Sequence, residues 1–89
     1  MNEVFLIGKI ISKIEYRFMM EKNKTARVEF RIKLLDMTEI ELIGYNEIAD
    51  FCFSKLGEKD CVIIYGCISN NKIEIKRIEV FGTFSHFKS

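Results

Sequence analysis

Eighty-nine residues, 48% apolar and 30% charged, with five glycines and no proline, describe one small globular domain. Fourteen Lys and Arg against thirteen Asp and Glu leave a formal charge of +1. That balance excludes a histone-like polycation and an acidic solvating tail, yet leaves room for a local basic face.

The apolar fraction is too high for disorder, and no apolar run approaches the roughly 18 residues of a membrane span. The opening MNEVFLIGKI carries Glu3 and no basic segment, so it reads as a strand rather than a signal peptide. Cys52, Cys61 and Cys67 are odd in number and lack Cys-x-x-Cys spacing. Cys61 and Cys67 would lie on one face of a strand about 20 Å apart, beyond disulfide reach. Free thiols in a reducing cytoplasm are expected, and the single histidine, His86, leaves no ligand set for a metal.

Strand signals dominate. Val4 to Ile14 is rich in β-forming residues, and Gly8 within it marks a bend or a close backbone approach. Glu15-Tyr16-Arg17-Phe18 resumes the alternation, so the first strand is long or broken into two, and Met20 to Lys24 is a polar turn. The second strand has the clearest period: Ala26, Val28, Phe30, Ile32 and Leu34 share one face, Arg27, Glu29, Arg31 and Lys33 the other. Asp36 allows a tight reversal into a third strand, about Met37 to Gly44, with Ile40 and Leu42 inward and Glu39, Glu41 and Ile43 outward.

At Asn46 the period changes. Asn46 is a candidate N-cap and Gly57 a candidate C-terminal stop. Between them Ile48, Cys52 and Leu56, with Ala49 and Phe53 beside them, predict an amphipathic helix of about three turns. Val62, Ile64, Gly66 and Ile68 form a fourth strand, Ser69 to Lys72 an Asn-rich hairpin, and Ile73 to Phe81 a fifth strand. The apolar parity switches between Ile75 and Ile78, which predicts a bulge at Lys76-Arg77. Residues 82–89 carry no period, so a domain over 1–81 and a short tail are expected. Five strands with one helix between the third and fourth is the order of a five-stranded OB-fold, an all-β Greek-key barrel.

At this point the chain resembles the bacterial single-stranded DNA-binding protein family. Asn2-Glu3-Val4-Phe5-Leu6-Ile7-Gly8-Lys9-Ile10 is similar to that family's opening strand, and Glu15-Tyr16-Arg17-Phe18 to its Glu-x-Arg-Tyr/Phe. Ala26 to Leu34, Ile43-Gly44-Tyr45-Asn46-Glu47-Ile48-Ala49 and Lys59 to Ile68 resemble its second strand, helix entry and fourth strand. The resemblance covers about residues 2 to 81. It implies binding of single-stranded DNA in replication, recombination and repair in the bacterial cytoplasm, by a homodimer or homotetramer. The sequence also departs from the pattern. Met37 and Ile43 stand where the family stacks bases, Tyr45 replaces a lysine, and the loop Leu35-Asp36-Met37-Thr38 is short. A glycine-rich linker and an acidic tip are missing, so recruitment of replication proteins through such a tip is not expected.

Binding of single strands needs cations along a groove and flat side chains for bases. The cations on offer are Lys9 and Arg17 on the first strand, Lys22 and Lys24 in the loop, Arg27, Arg31 and Lys33 on the second strand, and Lys72 in the last hairpin. Phe18 and Tyr45, then Tyr16, are the stacking candidates, whereas Phe30 and Phe53 read as core. The competing reading holds Arg27, Arg31 and Lys33 in ion pairs with Glu29, Glu39 and Glu41. With Met and Ile at the stacking positions, binding weaker than in a typical family member is expected. A second function remains open: a protein-interaction or replication-accessory module on the same scaffold, with weak or no DNA binding. RNA binding of the cold-shock type has less support, because the second and third strands carry no cluster of surface aromatics. No nucleophile-base pair and no glycine-rich phosphate loop is visible, so neither catalysis nor a cofactor is expected.

Assembly has its own signal. Ile63, Tyr65 and Cys67 make the fourth strand apolar on its second face, and a strand apolar on both faces is covered on both. The cover is either the tail, through Phe84 and Phe87, or another subunit, as the resemblance implies.

Overall fold

The computed structural model describes residues 2–21 and 23–83. The elements run β1 (Glu3–Ile10), β2 (Glu15–Glu21), β3 (Lys24–Leu34), β4 (Glu39–Tyr45), α1 (Glu47–Lys55), β5 (Asp60–Ser69) and β6 (Lys72–Thr83). The expected first strand is the broken kind, split into β1 and β2. The break is fastened to β3: the Ile11 amide donates to the Arg31 carbonyl at 3.0 Å, and the Arg31 amide to Ser12 Oγ at 2.8 Å.

Strands pair in the order β1-β5-β6-β4-β3-β2, and a further β1–β3 pairing closes β1, β5, β6, β4 and β3 into a five-stranded barrel. All ladders are antiparallel except β4–β6, a short parallel contact at Leu42–Ile73 and Ile43–Glu74. Closure brings backbones together at Gly8, where a Cβ would stand 2.8 Å from the Lys33 carbonyl oxygen. At Gly66 a Cβ would run into the Glu74 carbonyl. The expected bulge is present: Tyr65 opposes Arg77 and Gly66 opposes Ile75, leaving Lys76 as the extra residue. Ile75 and Ile78 therefore both turn inward. A second bulge at Phe81, between the Val62–Val80 and Cys61–Gly82 pairs, has no counterpart in the apolar pattern. β6 continues to Thr83, two residues beyond the expected domain end.

The core is Ile10, Ala26, Val28, Phe30, Ile32, Leu42, Val62, Ile64 and Ile75 from the barrel, plugged at one end by Ala49, Cys52 and Leu56 around α1. Three expectations about these elements need correction. Phe53 is not core; it is 59% exposed and rests on Tyr16 at 4.7 Å between ring centroids. Gly57 is not a left-handed stop, because Leu56 already leaves the helix in an extended conformation. Asn46 occupies the N-cap but makes no capping bond. Its side chain is used elsewhere: Oδ1 accepts the Thr25 amide at 2.8 Å and Nδ2 donates to the Asn23 carbonyl at 2.9 Å. Asn46 thus ties the β2–β3 turn to the start of α1.

Candidate nucleic-acid interface

β3 alternates between core and surface, so Arg27, Glu29, Arg31 and Lys33 stand in succession on the outside of the barrel. Pairing registers set their neighbours. Arg17 and Tyr45 flank Arg27, and Glu15 and Ile43 flank Glu29. Glu41 opposes Arg31, while Lys9 and Glu39 flank Lys33. Near the helix end, Lys24 Nζ lies 4.3 Å from the centre of the Tyr45 ring. Arg17, Arg27 and Tyr45 therefore form one row across three strands, with Lys24 laid over the ring. Like charges directly opposite one another destabilise a sheet. The Arg17–Arg27 and Lys9–Lys33 pairs are two such juxtapositions.

Between these ends the face is mixed. Glu29 Oε2 accepts from both Arg27 and Lys72, the latter at 2.8 Å. These two cations hold the Glu29 carboxyl below the usual carboxylate range. Arg31 reaches Glu39 at 3.8 Å, with both side chains about half exposed, a geometry worth little in water. A cleft of about 320 Å³ opens along this stretch, lined among others by Lys13, Glu15, Glu29, Arg31, Glu41 and Lys72.

Eight of the ten residues singled out from the sequence thus share the outer face of β1, β2, β3, β4 and the β6 start: Lys9, Arg17, Lys24, Arg27, Arg31, Lys33, Tyr45 and Lys72. Lys22 lies outside the described residues. Phe18 stands apart from them. It pairs with Ala26, on the opposite side of the hairpin from Arg17, and its ring meets Tyr16 edge-on at 5.5 Å. Tyr16 in turn donates its hydroxyl to Asp50 of α1 at 2.7 Å. Both aromatics therefore belong to the helix side. Ile43 is also corrected: it points outward but is only 7% exposed, because β6 lies alongside β4 there and Ile43 sits between Glu29 and Glu74. Met37 remains exposed, at the tip of the β3–β4 turn.

Glu29 carries no signal of a binding residue in the sequence. Its outward parity was legible, but its second cation, Lys72, comes from 43 residues further along the chain.

On another part of the barrel surface, Ile63, Tyr65 and Cys67 are half-buried and line up with Ile7, Phe5 and Glu3 of β1. Phe5 leans on Tyr65 at 5.0 Å and is still 54% exposed, and the Arg77 guanidinium lies over the Tyr65 ring at 4.5 Å from its centre. Phe84 and Phe87, the alternative cover, lie outside the described residues. Among the described residues no helix is long and apolar enough to cross a membrane.

No protein-family model matches this sequence, and no curated protein matches it. Solved structures do. The mitochondrial single-stranded DNA-binding protein of S. cerevisiae superposes with a TM-score of 0.79 at 15% identity, over 92% of this chain and 96% of that one. The single-stranded DNA-binding protein of Thermus aquaticus gives 0.82 at 21% identity, over 91% of this chain but 40% of the other. The SSB domain of a Synechococcus protein gives 0.74 at 15% identity, with 89% and 94% covered. This chain has the OB-fold that those proteins share.

Proposed function

We propose that the chain binds single-stranded DNA along the outer face of β2, β3 and β4, holding phosphates with cations and one base against Tyr45. The observation that carries this reading is the Arg17–Arg27–Tyr45 row with Lys24 over the ring. It supplies both ingredients of single-strand binding in one place, a cationic track and a flat π-face. The fold likeness to single-stranded DNA-binding proteins supports the same reading. Contacts to phosphate carry no sequence information, so binding is sequence-tolerant along most of the track. With Tyr45 the single stacking ring on this face among the described residues, affinity is modest.

We extend the proposal to assembly. The Phe5, Ile7, Ile63, Tyr65 face is the surface through which protomers join as a homodimer or homotetramer, and a small barrel gains core by doing so. The likeness to binding proteins supports a binding rather than catalytic role, and three free cysteines fit a reducing cytoplasm.

Titration of a fluorescent single-stranded oligonucleotide tests the face. Tyr45→Ala removes the ring and weakens binding by about 1–3 kcal/mol. Phe18→Ala, on the helix side, leaves affinity unchanged. Equal losses in both variants, or none in Tyr45→Ala, would move the DNA path off this face.

A further inference from the structure

We infer that the mixed-charge cleft midway along this face is a base-reading subsite that prefers guanine over thymine, with Glu29 as the residue that sets the preference. The inference rests on the single-strand reading and deepens it.

Three observations carry it. First, Glu29 is held in place: Arg27 and Lys72 both donate to its Oε2 atom. Among the described residues Oε1 takes no hydrogen bond, so its lone pairs remain for a donor from outside. Second, Glu29 is kept ionised by those cations, so it can only accept. Third, the same cleft holds Glu15 and Glu41 as further acceptors, and Lys13 and Arg31 as donors. Ser12 is already committed, since its hydroxyl donates to the Lys13 carbonyl and accepts the Arg31 amide. A base entering the cleft therefore meets anionic acceptors beside cationic donors.

The free bases differ in how they fit such a wall. Guanine presents O6 as an acceptor beside two adjacent donors, N1–H and the 2-amino group. The two lone pairs of Glu29 Oε1 can take both donors while Arg31 or Lys13 takes O6. Thymine presents one N3–H between two carbonyl oxygens, and each of those oxygens faces repulsion from a carboxylate at N3. Unstacked bases of a single strand expose these edges. A two-hydrogen-bond contact of this kind is worth a discrimination of about fivefold. The surrounding phosphate track remains indifferent to sequence, so the preference appears as a bias in composition rather than as a motif.

Competition binding against the full chain tests this, with an all-thymine oligonucleotide, an alternating thymine-guanine one and an alternating thymine-inosine one of equal length. The thymine-guanine strand should bind about fivefold tighter than the all-thymine strand, with the inosine strand between them because it lacks the 2-amino group. Glu29→Gln should bring the ratio of the first two affinities to near one, whatever it does to either alone. Equal binding of all three by the unaltered protein overturns the preference and leaves single-strand binding intact. A ratio that survives in Glu29→Gln overturns the role of Glu29. No binding of any strand at low salt overturns the preference together with the reading on which it stands.

Discussion

Glu29 and the three cysteines show how local environment decides what a side chain can do. The pKa of Glu29 is lowered in the fold by Lys72 and then Arg27. A depressed carboxylate contributes stability that is complete above its unfolded value and is lost as pH falls through the folded one. Glu29→Gln should therefore lower the melting temperature at neutral pH, and that difference should vanish only in acid below the usual carboxylate range. Cys52 is buried against the barrel, and burial pushes its thiol up to about 12. Cys61 and Cys67 are half-buried. A thiol reagent added at mildly alkaline pH should react with Cys61 in the native protein, and with Cys52 only after denaturant. Rapid modification of Cys52 without denaturant would show that α1 does not seal the barrel end. At this scale the alternation of β3 made the outward cations readable from the sequence. Their partners were not, because Lys72 and Glu29 meet only through closure of the barrel.

The strands were legible wherever a period of two ran uninterrupted, and the break between β1 and β2, the Asn-rich hairpin and the Lys76 bulge followed from composition or parity. Asn70 and Asn71 both take the left-handed conformation that such a hairpin requires. Element ends were less legible. Asn46 looks like a cap in sequence, yet its φ of 54° and ψ of −116° place it in a conformation that favours glycine. The strain is balanced by its bonds to Thr25 and Asn23, which fix the β2–β3 turn against α1. Asn46→Ala keeps the strain and loses the bonds, at a cost of about 1–3 kcal/mol. Asn46→Gly loses the bonds but relaxes the backbone, so thermal unfolding should rank it above the alanine variant. Phe18 is a related case. Its parity was readable, but nothing in the sequence says that α1 covers only part of the inner side of β2. An aromatic at the uncovered end stays 79% exposed while belonging to the helix side.

Across the whole molecule, two surfaces divide the work: a charged one over β2, β3 and β4, and an apolar one over β1 and β5. The +1 total is the residue of that arrangement, cations on β3 offset by Glu15, Glu29, Glu39 and Glu41 beside them. The apolar surface is the one proposed for assembly. Phe5→Asp, at a half-exposed position outside the core, should reduce the mass seen by light scattering to that of one chain without changing the circular dichroism. An unchanged mass would leave that surface to some other cover. The charged surface carries the central claim, and salt tests it most directly, because cation-phosphate contacts release counterions and weaken as salt rises. Binding of a fluorescent single-stranded oligonucleotide should be measured at about 50 mM and about 200 mM salt. The account predicts binding at the lower concentration, a marked loss at the higher one, and a shallower salt dependence when Arg17 and Lys24 are both changed to Glu. Absence of binding at the lower concentration, or binding indifferent to salt, would contradict it.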